Sequence, residues 1–461
     1  MKSRLTLIII AANVFVALAG PVRLAAQAAG SGTLPYPSAV TDRAIHLKTP
    51  MSPPPVNTVF YDPDFGARMV RVSDETTNPF HLNGYLRTEG SGHSASWSSD
   101  TRKFYVMAEG GAPLAFGFNP TTMKITTLPG GTPGRGFALP LRPGPTFSYA
   151  DPDLIHGTNP KKPLTIISYR FSTSTVSTVL DTTGCGTNPA LSSTATSDSD
   201  LSSSADDSRF AISEGGRQFG EHMFVIVYDK WKGCRWYNTQ TGQIGGAWGA
   251  SGKATFGGYL IAHAKIAKNG KHVNINVNGD GHYFWDIDTL HVSHCPLHTS
   301  LVCGGYGALG NEHWINGLGS PDEMNVGIRA IDDLAHVSPL VWPLVTPYQL
   351  GLQLHFSWTN VGPLDQKPVC GSTYLYKEDY SSITQPFEDE VFCIETDLKA
   401  STVWRFAHTR ASVELSYFHT QPVGSVSQDG HFYLFTSGWD EQVGYGANGT
   451  PRSDVWIVNL R

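Results

Sequence analysis

Five histidines stand at comparable places in a chain of 461 residues: His93, His263, His313, His355 and His419 each open or just precede an apolar, alternating run. Imidazole is the commonest transition-metal ligand and the side chain that titrates nearest neutrality. Brought to one place, the five would make a metal site, an acid–base site, or both. A histidine at a strand start can equally bond a neighbouring strand or pin a turn, and the chain has 17 histidines to supply coincidences. The shared position is what marks these five. His156, His222, His272, His282 and His431 lie elsewhere in the pattern and read as structural.

The elements that must position them are short strands in a repeated unit. Residues 92–106, GHSASWSSDTRKFYV, hold a histidine, an alternating run, a polar turn at Ser99-Asp100 and a second strand. Residues 418–437 repeat that order. Residues 201–213 and 263–277 repeat strand, turn and strand, with Asn269-Gly270 in the latter a strong hairpin signal. Residues 313–330 and 355–376 are looser copies, and 148–169 is the most degenerate. Aromatic or β-branched third strands follow at 223–229, 282–288, 390–397 and 454–460. Seven units of roughly 40 to 65 residues have the period of propeller blades.

The fold class expected is therefore all-β, a single seven-bladed β-propeller, with insertions in the third and sixth units leaving six or eight blades open. The last unit ends after its third strand, while residues 59–74 read as a strand pair with no blade of its own. A ring closed by an N-terminal strand from that segment is expected, since closure removes exposed edges and faces. In such a ring the first strand of each blade is innermost. The five histidines would then surround one axis.

Lys2 and Arg4, an apolar run over 5–19 and the small-residue site Ala26-Gln27-Ala28 read as a signal peptide over residues 1–28. An extension over 29–56 and the propeller domain over 57–461 follow. No later run is apolar enough to span a bilayer, so a secreted, monomeric protein is expected. The cysteines Cys185, Cys234, Cys295, Cys303, Cys370 and Cys393 suit an oxidising compartment. Nearest-neighbour pairing would staple three local loops. No CxxC is present, which argues against a thiolate zinc site. A net charge of −6 with both signs interspersed argues against nucleic acid as a partner. There is no Gly-x-Ser-x-Gly elbow for a serine hydrolase.

Trp97-Ser98-Ser99-Asp100 with Phe104, and its relatives Ser427-Gln428-Asp429-Gly430 and Ala267-Lys268-Asn269-Gly270, resemble the repeats of TolB-type propellers. That resemblance covers most of the chain and implies a fold alone, because such repeats occur in transport accessory proteins, peptidase gating domains and polysaccharide lyases. The histidine placement is similar to that of oligogalacturonate lyases, seven-bladed propellers whose axial histidines and a glutamine hold a divalent cation beside the sugar carboxylate. This resemblance implies His263, His355, His419 and Gln421 as ligands of a divalent metal (Mn, Ca or Zn), with His93 or His313 as base. Other propeller lyases for uronate-containing glycans use histidine, tyrosine and arginine, which implies Arg87, Tyr85, Tyr149 and Arg329.

The chemistry explains the choice of groups. In β-elimination a proton leaves the carbon next to a uronate carboxylate, whose charge opposes carbanion formation. A cation or arginine neutralises that charge, a histidine or tyrosine takes the proton, and an acid assists the leaving oxygen. Aromatic rims bind sugar faces, and Trp97, Trp314, Trp358 and Trp439 are candidates near inner strands, although aromatics more often fill cores. The function expected is a lyase acting on an acidic oligo- or polysaccharide. Alternatives are a non-catalytic binding propeller, or a glycoside hydrolase needing a carboxylate pair from Glu89, Asp151, Asp153, Glu312 and Asp322.

Overall fold

Seven antiparallel sheets of four or more strands follow one another along the chain as the blades of a β-propeller. The computed structural model describes residues 36–461 except 79–83, 90–93, 187–195, 198–200, 217–220, 278, 298–302, 304–306, 321–322, 346–352, 363–364, 375–382, 384, 397–401, 415–416 and 447–448. The expected signal peptide lies outside the described residues. The inner strands of blades 1 to 7 are Leu86–Arg87, Thr146–Phe147, Ser202–Ser203, His263–Ile266, Ala308–Leu309, Gln353–Ser357 and Gly424–Val426.

The repeated motif is a turn that hands each inner strand to the second. In blade 1 Ser98 Oγ donates to Asp100 Oδ1 at 2.6 Å and accepts from the Lys103 amide at 2.9 Å. Ser204 and Asp206 do the same in blade 3, as do Ser427 and Asp429 in blade 7. The fourth residue of each turn is left-handed: Thr101, Asp207, Gly270 and Gly430 have φ of 59°, 54°, 73° and 81°. Glycine suits two of these positions because it reaches that region without a Cβ penalty.

Each sheet is apolar on both faces. Blades 5 and 6 share a core of Ile315, Val326, Ile328, Phe356, Trp358 and Phe392. Blades 3 and 4 share Val225, Tyr237, Ile261, Val273 and Trp285, and blades 1 and 2 share Tyr105, Met107, Phe147 and Ile167. The first and last blades meet through Trp97, Phe104, Phe118, Phe432 and Ile457.

The two strands of residues 59–74 are Val59–Tyr61 and Arg68–Arg71. Arg68–Arg71 pairs antiparallel with Asp454–Asn459, register Met69 to Val458 and Arg71 to Trp456. The Arg71 guanidinium also pairs with the buried Asp454 carboxylate at 2.5 Å. The preceding extension runs along blades 6 and 7, where Arg405 holds Glu390 and the Asp42 carboxylate, and Lys48 bridges Asp389 and Asp440. Disulfides join Cys185 to Cys234, Cys295 to Cys303 and Cys370 to Cys393, the nearest-neighbour pattern.

One unit is offset from its expected boundary. Blade 5 begins with the two-residue strand Ala308–Leu309, so His313 opens the second strand, His313–Ser320. In blade 3, Glu214 on the strand Arg209–Gly215 is fully buried.

Deleting residues up to Asp74 would bare the edge of Asp454–Asn459 and remove buried Met69, Val70 and Val72. At about 1.5–3 kcal/mol each, the loss is on the order of 5 kcal/mol, and calorimetry should show a much lower melting midpoint. An unchanged midpoint would mean that this pairing does not hold blade 7 in the ring.

Burial pushes Glu214 up from 4.5 to about 8, with Thr182 opposing and Asp181 reinforcing the shift. The native state keeps this proton where the unfolded chain has lost it, so Glu214 lowers stability progressively as pH rises from 4.5 to about 8. Glu214→Gln should match the wild type in urea melts below that window and exceed it above. Parallel curves across the window would count against a buried, protonated Glu214.

Candidate functional site

The end of the axis where inner strands begin gathers residues from blades 6, 7 and 1. His355 lies inside the strand Gln353–Ser357. Gln421 follows the 3₁₀ turn Phe418–Thr420, just before the strand Gly424–Val426. Their tips meet, His355 Nε2 to Gln421 Oε1 at 2.9 Å, and the Tyr374 hydroxyl stands 3.3 Å from the same nitrogen. Tyr374 reaches this point because it pairs with Gln353 across the first hairpin of blade 6. His355 is 3% exposed. Burial pulls its imidazole down to about 4, with the Gln421 bond opposing, so it is neutral at physiological pH.

A second group adjoins it. The Tyr85 and His419 rings stack at 3.7 Å with planes 5° apart, and His419 Nε2 donates to the Pro451 carbonyl at 2.9 Å. That bond fixes the neutral tautomer and leaves Nδ1 as the lone-pair nitrogen. Burial lowers the His419 pKa, with Pro451 opposing; burial raises that of Tyr85, with Arg87 opposing. Arg87, on the strand Leu86–Arg87, stands 5.9 Å from the Phe418 ring centre, and the Phe418 and His355 rings lie nearly perpendicular with centres 6.4 Å apart. Phe418 is 40% exposed, the one large aromatic of this cluster open to solvent to that degree.

The remaining expected site residues differ in position. His93 falls outside the described residues. His263 opens its inner strand and is buried. His313 stands at the opposite end of the axis, its ring and amide both on Asp365 at 3.1 Å, because the two-residue inner strand of blade 5 displaces it to the second strand. Tyr149 is also at that far end, where burial raises its phenol well above the ordinary value. Arg329 is a core residue, bonded to Asn316 at 2.7 Å and held down to about 10 by burial.

The expected sugar platforms Trp314, Trp358 and Trp439 are each 2% exposed or less. Trp358 donates to the Lys367 carbonyl and Trp439 to that of Met51. Trp314 and Trp358 lie in buried apolar cores and Trp439 stacks on Trp456 at 4.0 Å, which leaves no face for a sugar. Asp151 and Asp153 are both bound to Arg170 and Glu312 sits in the turn before His313; Asp322 is outside the described residues. Sequence reasoning missed Tyr374 and Phe418. The hairpin register that pairs Tyr374 with the start of its inner strand is the signal that could have found it.

Among the described residues, no three His, Cys, Asp or Glu side chains converge as a metal site. His355 Nε2 and Gln421 Oε1 are nevertheless spaced like neighbouring ligands of an octahedral ion with bonds of about 2.1 Å. His419 is directed at Pro451 instead.

No family model and no curated protein matches this chain. Solved structures do. An oligogalacturonate lyase from Vibrio parahaemolyticus aligns with a TM-score of 0.51 at 12% identity over 88% of this chain and 96% of its own. An oligogalacturonate lyase in complex with manganese aligns with a TM-score of 0.51 at 13% identity over the same shares. At such identity the likeness is one of fold: this is a seven-bladed propeller of the architecture those lyases use.

His355 should stay neutral from about pH 5 to 8. A histidine-resolved NMR titration would show its ring shifts flat across that range, with protonation only near 4. An ordinary titration near neutrality would contradict its burial against Gln421.

Proposed function

We propose that this protein is a secreted lyase that cleaves a uronate-containing oligo- or polysaccharide by β-elimination at the axial end where the inner strands begin. The observation that carries this reading is the convergence of His355–Gln421 and Arg87–Tyr85–His419 from three blades around the exposed Phe418. Arg87 would neutralise the uronate carboxylate. His419 Nδ1, left basic by the Pro451 bond, would take the proton beside that carboxylate. The electron pair forms the new double bond as the glycosidic oxygen departs with a proton, for which the Tyr85 hydroxyl is the donor.

Phe418 would offer the sugar a stacking face, the part the buried tryptophans do not play. His355 and Gln421 would hold a divalent cation, with manganese the first choice given the lyase solved with that metal. When bound, such an ion adds positive charge beside the developing enolate.

The test is to incubate the purified protein with oligogalacturonates, glucuronan and ulvan-type oligosaccharides, with manganese or with chelator, and follow the ultraviolet absorbance of new unsaturated uronate ends. Arg87→Ala, His419→Ala and Gln421→Ala should each lower kcat/KM by about 100-fold or more while leaving the melting midpoint nearly unchanged. Reducing ends without unsaturation would select a hydrolase, and binding without turnover a carbohydrate-binding propeller. Either result would sink the lyase reading.

A further inference from the structure

Among the described residues four large aromatic side chains are exposed: Tyr61, Trp231, Phe418 and Tyr445. Tyr61 lies on the outermost strand of blade 7, and Trp231 follows the third strand of blade 3. The other two meet at one imidazole. Phe418 precedes His419 in the chain. Tyr445 is the backbone partner of Pro451, whose carbonyl accepts the His419 ring proton at 2.9 Å. Tyr445 is 51% exposed; its hydroxyl makes no hydrogen bond and its ring stacks on no other among the described residues.

The segment that carries Tyr445 joins the second and third strands of blade 7, Phe432–Ser437 and Asp454–Asn459, at the end of the axis where inner strands begin. It opens with three consecutive non-glycine residues in the left-handed region, Trp439, Asp440 and Glu441, at φ of 50°, 53° and 66°. A side chain there crowds the following carbonyl oxygen, so such a run persists only where its surroundings hold it. The Asp440 amide donates to the Arg410 carbonyl at 2.7 Å. Its carboxylate takes the Lys48 ammonium and, at 3.6 Å, the Arg410 guanidinium. The Trp439 indole is buried and donates to the Met51 carbonyl at 2.8 Å, and Gln442 reaches the same carbonyl at 3.3 Å. Beyond them the amides of Gln442 and Gly444 bond back to the carbonyls of Trp439 and Glu441. Arg452 ties its amide to Gly444 and its guanidinium to Val443.

Tyr445 is thus an exposed ring on a segment fixed at its base by Arg410 and by the N-terminal extension. Backbone strain of this kind gathers at active sites and ligand clamps. A ring held in place also loses less freedom on binding than a mobile one. Two single rings are too little apolar surface for a stable protein interface, whereas a sugar face needs only one.

We infer that Tyr445 is a second sugar platform, taking the ring next to the one at Phe418 and His419, so that the ligand is an oligosaccharide rather than a single uronate. The inference rests on the proposed lyase reading for its choice of acidic sugars. Tyr445 carries no charge, so it reads the flat C–H face of a pyranose and sets chain length, while Arg87 reads the carboxylate. The pairing of Tyr445 with Pro451 is made by backbone, so truncating the side chain leaves the Pro451 bond to His419 in place.

The experiment titrates the full-length protein calorimetrically, in the cold and in chelator to suppress turnover, with monomers and trimers of galacturonate and of glucuronate. In at least one series the trimer should bind about tenfold more tightly than its monomer, a gain of the size an aromatic contact supplies. Tyr445→Ala should erase that gain while the monomer affinity and the melting midpoint hold. Tyr445→Trp should restore it, and Tyr445→Leu, apolar but not flat, should not. No gain in either wild-type series would overturn the platform, as would a gain that survives Tyr445→Ala. Equal losses for monomer and trimer would also overturn it, marking a structural effect through Pro451. The two readings fail separately. A gain lost in Tyr445→Ala without any unsaturated product keeps the platform and sinks the lyase; unsaturated product with the gain intact does the reverse.

Discussion

Apolar residues cover both faces of each sheet in this chain, so each sheet needs a neighbour on either side to keep those faces from water. A row of such sheets always ends in two bare faces; a ring has none. The core shared by Trp97, Phe104, Phe118, Phe432 and Ile457 joins the first blade to the last and covers the faces that a row would leave open. Regular geometry follows from this constraint. The inner strands crowd around one axis and must be short, as the two-residue strands of blades 1, 2, 3 and 5 are. Polar side chains displaced from the sheet interfaces collect along that axis.

The two ends of the axis then diverge because the chain enters and leaves inner strands by different means. It enters by irregular segments, and these deliver the mixed aromatic, imidazole and guanidinium groups around His355 and His419. It leaves by a repeated turn whose polar atoms are consumed locally, as Ser98 with Asp100 and Ser427 with Asp429 show. At the second turn residue Lys268 and Gln428 reach to carbonyls of other blades. Chemistry has room at the irregular end, and rigidity at the regular one.

The turn was legible in the sequence because its Ser-x-Asp pattern, present at Ser98, Ser204 and Ser427, has one local hydrogen-bonding solution. The nearest-neighbour disulfides were legible for a similar reason, since each links strands or loops close along the chain. His313 departs from its expected place because Ala308–Leu309 is too short to show alternation, which makes the following strand look like the inner one. The burial of Trp314 and Trp358 is harder to read from sequence, because it depends on which sheet face meets which neighbour, information absent from any single strand. Lys265 and Lys268 look like solvent-facing residues of an alternating hairpin. Only the ring turns their side of the strand inward.

The pairing of Arg68–Arg71 with Asp454–Asn459 also bears on biogenesis. Arg71 and its partner Asp454 are 383 residues apart, nearly the full span of the folded chain. A polypeptide that emerges in order from a ribosome or a translocon presents the earlier strand long before its partner exists. Until the last few residues arrive, that strand is an unpaired edge and the first blade has an uncovered face, the state most open to aggregation. Contacts of such separation also form slowly. Synthesis of this protein therefore carries a vulnerable interval set by the time needed to deliver the strand Asp454–Asn459.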